Sequence, residues 1–288
     1  MTLVVARSIS DEIRILCDSR VTDPEIIRSR PMTDMLKAVI LRPDLCVCFA
    51  GNIHHAQASI DSLVSYCAGN TFDLEAVLAN LMKRSEDSLA LAENGVPSID
   101  FIVATLQPCQ AIYRIKDGML ERNLVAAWIG DYGAFSAFQE HFHTNQERSL
   151  DQGLFDNGGH RFRTVMKMTD SLRSVMSDGA FPTVGNFLIS VTSKPAGGVG
   201  FTYLPSVIGD GFGSAGDGGY CYSILAPKAP GVGAVGVYFN QGRFGALMYP
   251  ANSGKTIQYT NVDLECFILR VKEDFGVEFW KLGFDMFP

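Results

Sequence analysis

The stretch that decides the fold is residues 2–20, which read TLVVARSISDEIRILCDSR. Apolar residues dominate 2–7 and 13–17 over strand length, and the polar group Ser10-Asp11-Glu12 separates the two runs. This pattern predicts a β-hairpin whose second strand runs directly into Asp18-Ser19-Arg20. Because the strands of a hairpin are antiparallel, these charged residues end close to the start of the first strand.

Thr2 stands at the start of this hairpin, directly behind Met1. If Met1 is removed, Thr2 carries a free α-amine beside its own hydroxyl, and that amine can act as the base for the hydroxyl. This arrangement would be a self-contained nucleophile. A threonine in second place is also common in proteins that do no such chemistry, so the residues downstream decide between the two interpretations.

The composition is that of a folded globular protein, with 288 residues, 47% of them hydrophobic and 19% charged. The net charge of -7 and the pI near 5.2 argue against binding to nucleic acid or to an anionic membrane surface. No apolar run is long enough to span a membrane, and charged residues interrupt the N-terminal segment, so we expect neither a membrane anchor nor a secretory leader.

The seven cysteines are odd in number, and several lie within apolar strands. This usage is typical of buried thiols in a reducing compartment, and it predicts a cytoplasmic protein without a disulfide framework. Cys46 and Cys48 do not form a zinc-binding pattern, since no second pair follows them. We therefore expect no metal and no organic cofactor.

Hydrophobic periodicity predicts the remaining elements. Strands are expected at 37–41, 45–50, 99–106, 110–116, 125–129, 187–192 and 200–204, and helices at 53–67, from about 74, at 130–142 and at 162–176. Loops are expected at 22–34 and 144–160. Paired strands that alternate with helices predict an α+β protein in which two sheets lie between two helical layers, a four-layer αββα sandwich.

The segment after residue 205 differs in character. Residues 206–231 are rich in glycine and predict a loop, and without a Gly-Lys-Ser/Thr sequence this loop does not indicate phosphate binding. A hairpin is expected at 232–249 and an amphipathic helix at 262–274. We divide the chain into a main domain, residues 1–205, and a C-terminal hairpin–helix extension, residues 206–288. The aromatic end of the extension either packs on a neighbouring subunit or completes the edge of its own sheet.

Four features follow one another in order: Thr2, Asp18-Ser19-Arg20 at a strand end, a lysine that opens the next strand, and Ala50-Gly51 before a helix. Together they resemble the proteasome β-subunit family, including the bacterial proteasome-like peptidases, over about residues 2–205. The matching segments are RILCDSRVTD, DMLKAVIL, CVCFAGNIHHA, AAWIGDYGAFSAFQEHF, FLISVTS and FTYLP. The resemblance implies the N-terminal nucleophile hydrolase fold.

The resemblance also implies a role for each matching residue. Thr2 would be the nucleophile that attacks a peptide carbonyl through its hydroxyl. Lys37 would lie near that hydroxyl and stabilise charge on its oxygen. Asp18 would pair with Lys37, and Arg20 would help to hold the network together.

Further residues match the family less completely. The backbone N–H of Gly51 would bind the oxyanion, where a glycine lets the backbone approach the substrate closely. Asp131 stands where the family has the serine of a Gly-Ser-Gly turn, which would put a carboxylate near the amine of the nucleophile. A shallow apolar substrate pocket is expected near Val21, Phe49 and Ile53.

The function that the resemblance implies is a threonine endopeptidase, which would act on peptides or unfolded proteins within a homo-oligomer; an unfoldase partner is left open. Two alternatives stay open. One is a non-catalytic structural subunit of the same fold, which Asp131 favours, and the other is a small-molecule amidase of that fold. Taken singly, each residue also has a purely structural interpretation, since a charge pair at an exposed strand end contributes little to stability.

Overall fold

The structure is a computed structural model, and it describes residues 2–22, 34–68, 72–92, 98–144, 159–194, 199–208, 222–240, 242–248 and 256–280. The helices in these ranges are α1 Ile53–Cys67, α2 Leu74–Ala92, α3 Tyr132–Thr144, α4 Gly159–Ser177 and α5 Leu264–Phe275. The strands are β1 Leu3–Ile9, β2 Glu12–Asp18, β3 Ala38–Arg42, β4 Leu45–Gly51, β5 Ile99–Thr105, β6 Ala111–Lys116, β7 Met119–Glu121, β8 Ala126–Gly130, β9 Leu188–Thr192, β10 Thr202–Tyr203, β11 Ser206–Ile208, β12 Tyr222–Leu225, β13 Val235–Phe239, β14 Phe244–Met248 and β15 Thr256–Thr260.

The N-terminal hairpin is confirmed, and it lies in a five-stranded antiparallel sheet of order β10-β9-β2-β1-β8. Its turn is tighter than predicted, because Glu12 already belongs to β2 and Ser10 takes the left-handed conformation with φ 57°. The register pairs Val4 with Cys17. Thr2, which directly precedes β1, therefore lies next to Asp18 at the end of β2.

The second sheet has the order β3-β4-β5-β6-β7 and is also antiparallel. A tight turn at Asp117-Gly118 joins β6 to β7, with φ values of 52° and 73°. Helix α1 begins and ends where the sequence predicted, and the side chain of Asn52 caps it by accepting a hydrogen bond from the backbone N–H of His55. Helix α2 runs to Ala92, well past its predicted apolar face.

Three buried clusters show how the helices and the first two sheets pack. Phe101 of the second sheet belongs to one cluster with residues of α1 and α2. Leu16 of the first sheet belongs to another with residues of α3 and α4. A third cluster joins residues from both sheets, among them Ile15 and Ile102. The α+β class predicted from the sequence is therefore confirmed.

The C-terminal segment forms a third antiparallel sheet, of order β11-β12-β13-β14-β15. The prediction of one continuous loop over 206–231 is wrong at β11 and β12, and the strand β15 was missed. These strands are short, and β15 is mostly polar, so they form through pairing with their neighbours rather than through a periodic pattern of their own. The glycine-rich residues 209–221 lie outside the described residues.

One face of the third sheet packs, through Ile224 and Val237, into the cluster that is shared by the first two sheets. Helix α5 covers the other face. Phe267 and Val271 of α5 are buried, and the helix expected at 262–274 is confirmed as Leu264–Phe275. Phe279 is 2% exposed in the same cluster, so it packs within its own chain and not on a neighbouring subunit. Of the other aromatic residues at this end, Phe275 and Trp280 are partly buried within their own chain, and Phe284 and Phe287 lie outside the described residues.

The two predicted surface loops are described only at their ends. Thr144 still belongs to α3 and α4 begins at Gly159, so the loop predicted at 144–160 is wrong at its two ends. Residues 145–158 and 23–33 lie outside the described part of the chain.

Candidate active site

Thr2 and Asp18 meet because β1 and β2 are antiparallel neighbours. The Thr2 hydroxyl donates a hydrogen bond to Oδ1 of Asp18, and the backbone N–H of Leu3 donates to the same oxygen at 2.9 Å. Thr2 is 2% exposed and Asp18 is fully buried. The hydroxyl is therefore held in one orientation by a carboxylate that water does not reach.

Lys37 joins this pair from the residue just before β3. Its ammonium donates to the Thr2 hydroxyl, to Oδ2 of Asp18 at 2.9 Å and to the backbone carbonyl of Arg20 at 2.6 Å. These three acceptors use all three ammonium donors. The Lys37 side chain is 3% exposed, so a cation is held out of water against the oxygen of a hydroxyl.

Asp18 is the centre of the arrangement, since five donors converge on its carboxylate. The Thr2 hydroxyl and the Leu3 N–H occupy Oδ1, while Oδ2 accepts from Lys37, from the Arg20 N–H at 3.1 Å and from the Gly185 N–H at 3.3 Å. A buried carboxylate with this many donors is fully satisfied, which is the condition for burying an ion pair without a large penalty.

Arg20 acts on the cluster through its backbone. Its N–H bonds to Asp18 and its carbonyl accepts from Lys37. The guanidinium instead points to the segment before β9, where it donates to Oδ1 of Asn186 at 3.1 Å and to the carbonyl of Pro182 at 2.9 Å. The expected role in holding the network is thus divided between the backbone, which bonds to the charged pair, and the side chain, which anchors residues 182–186.

Gly51 lies at the end of β4 with φ 110°, a conformation that favours glycine. A Cβ there would lie 1.8 Å from the carbonyl oxygen of Ser98. Gly130 at the end of β8 repeats this geometry, with φ 108° and a Cβ position 1.9 Å from the carbonyl oxygen of Thr2. The fold of the chain therefore requires glycine at both positions, whether or not a substrate binds there. The oxyanion role of Gly51 stays a prediction.

Asp131 contacts Thr2 through its backbone, whose N–H donates to the Thr2 carbonyl at 2.7 Å. Its carboxylate has other partners. One oxygen accepts from the N–H of Ala134 at 3.0 Å and caps α3, and the other accepts from the hydroxyl of Thr183 at 3.2 Å. The position expected for Asp131 next to Thr2 is found, but its carboxylate serves the helix start, and nothing in the sequence indicated Thr183.

The three residues expected to wall a substrate pocket lie together in the cluster between the second sheet and its helices. Val21 is 3% exposed and Phe49 is 2% exposed, while Ile53 is partly buried. Val21 and Phe49 are thus part of the hydrophobic core here. A substrate side chain that used this place would have to repack them.

A second layer of polar residues, which sequence reasoning missed, supports the segment that carries Lys37. Asp34 accepts at one oxygen from the Ser19 hydroxyl at 2.6 Å and from the amide of Asn186 at 2.8 Å. Burial raises the pKa of the Asp34 carboxyl, against the lowering effect of these two hydrogen bonds. The hydroxyl of Thr256 donates to the Asp34 carbonyl at 3.1 Å, which connects the third sheet to this layer.

No protein-family model matches the chain, and a search of curated proteins finds no match either. The resemblance to proteasome β-subunits therefore rests on the sequence motifs alone. Within the described ranges, no cluster of three or more His, Cys, Asp or Glu residues is placed to hold a metal ion. No helix in that part of the chain is long and apolar enough to cross a membrane.

Proposed function

We propose that the protein is a threonine-type peptidase in which Thr2, as the first residue of the mature chain, is the nucleophile. The observation that carries this proposal is the buried cluster in which the Thr2 hydroxyl bonds to both Asp18 and Lys37. A serine or threonine placed only for structure has no need of a buried ammonium at its oxygen. Such an ammonium stabilises negative charge on that oxygen as it becomes a nucleophile.

All the catalytic groups in the proposed reaction belong to this chain. The α-amine of Thr2 takes the hydroxyl proton as Oγ1 attacks the carbonyl carbon of the peptide bond. The tetrahedral intermediate collapses, and the departing amine receives that proton, which leaves an ester on Oγ1. Water activated by the same α-amine then attacks the ester and releases the acid. Lys37 balances charge on Oγ1 throughout, and Asp18 keeps the ammonium in place.

We further propose the four-layer αββα arrangement of N-terminal nucleophile hydrolases for residues 1–205, with the third sheet and α5 as a C-terminal extension. The clusters that pair each of the first two sheets with two helices, and the cluster shared by both sheets, support this arrangement. The family resemblance favours peptides or unfolded proteins as substrates, a homo-oligomeric assembly and a cytoplasmic location.

One observation favours the alternative of a non-catalytic subunit. The family has a serine hydroxyl near the amine of the nucleophile, at the position that Asp131 occupies here. Both carboxylate oxygens of Asp131 already accept hydrogen bonds, from Ala134 and Thr183, so Asp131 does not replace that hydroxyl. An Asp131→Ser variant tests whether this departure limits activity. A rise in peptide hydrolysis would mean that the chemistry is present and that Asp131 slows it.

The proposal is tested by hydrolysis of a fluorogenic peptide library. The wild-type protein is expected to cleave peptides, the Thr2→Ala variant to lose all cleavage, and Thr2→Ser to retain a part. Thr144→Ala, at an exposed threonine that ends α3, is the matched control and should cleave as the wild type does. Cleavage of small amides without cleavage of peptides would favour the amidase alternative, and equal cleavage by Thr2→Ala would contradict the assignment of the nucleophile.

A further inference from the structure

A cavity of about 310 Å³ lies at the edge of the first sheet, between β8 and α3. Ligand sites in proteins typically measure about 300–1,000 Å³, so this cavity suits a small molecule. We call it the aromatic groove, and its characteristic lining residues are Val5, Arg7, Trp128, Phe135, Phe138 and Phe142.

Four aromatic rings form one continuous row in this groove. Trp128 and Phe135 stack with their centroids 4.1 Å apart and 10° between their planes. Phe138 follows at 6.3 Å from Phe135, and Phe142 at 6.1 Å from Phe138. The phenylalanines share one face of α3 because they are three and four residues apart. The row offers a long apolar surface of which only Phe138 is fully buried.

Arg7 brings a positive charge to one end of the row. Its guanidinium lies 5.4 Å from the centroid of the Phe142 ring. The register of β1 and β2 sets Arg14 directly opposite Arg7, and like charges in that relation repel each other. The nearby Glu12 already bonds to Arg14 and to Arg161. Within the described residues, Arg7 has no carboxylate partner.

Arg14 strengthens this local excess of positive charge. Its side chain is 9% exposed, and its Nε and one terminal nitrogen are buried without a hydrogen-bond partner. Such donors are costly to leave unpaired. Arg14 does not itself line the groove, but it adds to the field at Arg7, which does.

The other charges around the groove do not cancel the excess of positive charge at Arg7. Arg114 is neutralised by Glu121 through two hydrogen bonds of 2.7 and 2.8 Å. Lys116 holds its ammonium 5.0 Å from the centroid of Trp128, at the other end of the row. An apolar row that ends in a cation with no carboxylate partner among the described residues is complementary to a molecule with an apolar body and one negative charge.

We propose that the aromatic groove binds a small hydrophobic carboxylate, with its apolar body on Trp128 and Phe135 and its carboxylate on Arg7. This site is separate from the candidate active site. Arg7 lies five residues beyond Thr2, or about 17 Å along an extended strand. The proposal therefore stands whether or not Thr2 is a nucleophile.

The binding is measured by tryptophan fluorescence in a Trp280→Phe background, which leaves Trp128 as the only reporter because the chain has two tryptophans. The probe is 4-phenylbutyrate, and its neutral counterpart is 4-phenylbutyramide. We expect a saturable change with both, and about tenfold tighter binding of the acid, since a hydrogen bond to a charged group is worth more than one to a neutral group. Circular dichroism verifies that each variant is folded.

Three further variants assign the contacts. Arg7→Gln is expected to abolish the preference for the acid, whereas the matched Arg122→Gln keeps it, because that guanidinium pairs with Glu75 and does not line the groove. Phe135→Ala is expected to weaken acid and amide alike. A folded Trp280→Phe protein without any saturable response would overturn the proposal. So would a preference for the acid that survives Arg7→Gln or disappears in Arg122→Gln.

Discussion

The ammonium of Lys37 lies 2.9 Å from the carboxylate of Asp18, and their side chains are 3% and 0% exposed. An ion pair this deeply buried is satisfied only while both partners and their additional hydrogen-bond partners are present. Both residues also hydrogen-bond to the Thr2 hydroxyl, so the same contacts determine the stability of the protein and the proposed chemistry.

Removing one member of this pair should strongly destabilise the protein. Lys37→Met leaves the Asp18 carboxylate buried without its cation, and Asp18→Asn leaves the ammonium without its anion. We expect each change to lower the free energy of unfolding by about 3–5 kcal/mol. The double variant should lose less than the sum of the two, because neither charge is then left alone. Urea unfolding measures all three.

The control for this cycle is the exposed pair of Arg122 and Glu75, whose loss in Arg122→Gln should change stability little. Single variants at Lys37 and Asp18 that unfold at the wild-type urea concentration would show that the buried ion pair does not exist in solution.

The two strand-end glycines should tolerate no side chain. Gly51→Ala and Gly130→Ala each force a side chain into a left-handed conformation and place its Cβ within 2 Å of a backbone oxygen. We expect a loss of at least about 1–3 kcal/mol in the free energy of unfolding for each. Gly179→Ala is the control, because an added Cβ there meets no atom within 4 Å. Equal stability of all three variants would contradict the strand ends described here.

Asp100 should make stability depend on pH in the acid range. Burial raises the pKa of its carboxyl from 3.8 to about 6, and one of its oxygens is buried without a hydrogen-bond partner. The folded state then binds a proton more tightly than the unfolded state, so stability falls as pH rises from 3.8 to about 6 and is constant above that range. Urea unfolding of wild type and Asp100→Asn across this range measures the effect.

In the Asp100→Asn variant this decline should be smaller, because only the raised pKa of the Asp34 carboxyl then contributes to it. Asp87→Asn, at an exposed position of α2, should keep the full decline. A difference in stability between the wild type and Asp100→Asn that is the same at every pH would exclude the proposed titration.

Much of the fold was predictable because strong local patterns encode it. The hairpin of β1 and β2 has two apolar runs of strand length and a polar turn between them, and α1 has both helical periodicity and a capping residue, Asn52. The third sheet was not predictable in the same way. Its strand β15 reads Thr-Ile-Gln-Tyr-Thr and is stabilised by pairing with β14, a contact that no local pattern reveals.

The candidate site shows the same division. Thr2, Asp18 and Lys37 were predicted together because their order along the chain resembles that of a known family, and the structure brings them into contact. Asp34 could not be predicted, since it lies in a polar segment and its partners come from distant parts of the chain. The backbone contacts of Arg20 were equally hidden, because a sequence displays side chains and not carbonyl groups.

The most direct test of the central claim is the intact mass of the purified protein before and after treatment with a peptide epoxyketone, a threonine-directed covalent probe. The account predicts a mass without Met1, a single adduct, and peptide mapping that places the adduct on Thr2, with none in Thr2→Ala. A protein that keeps Met1 and takes up no probe would contradict the claim, and Asp18 and Lys37 would then only support the fold.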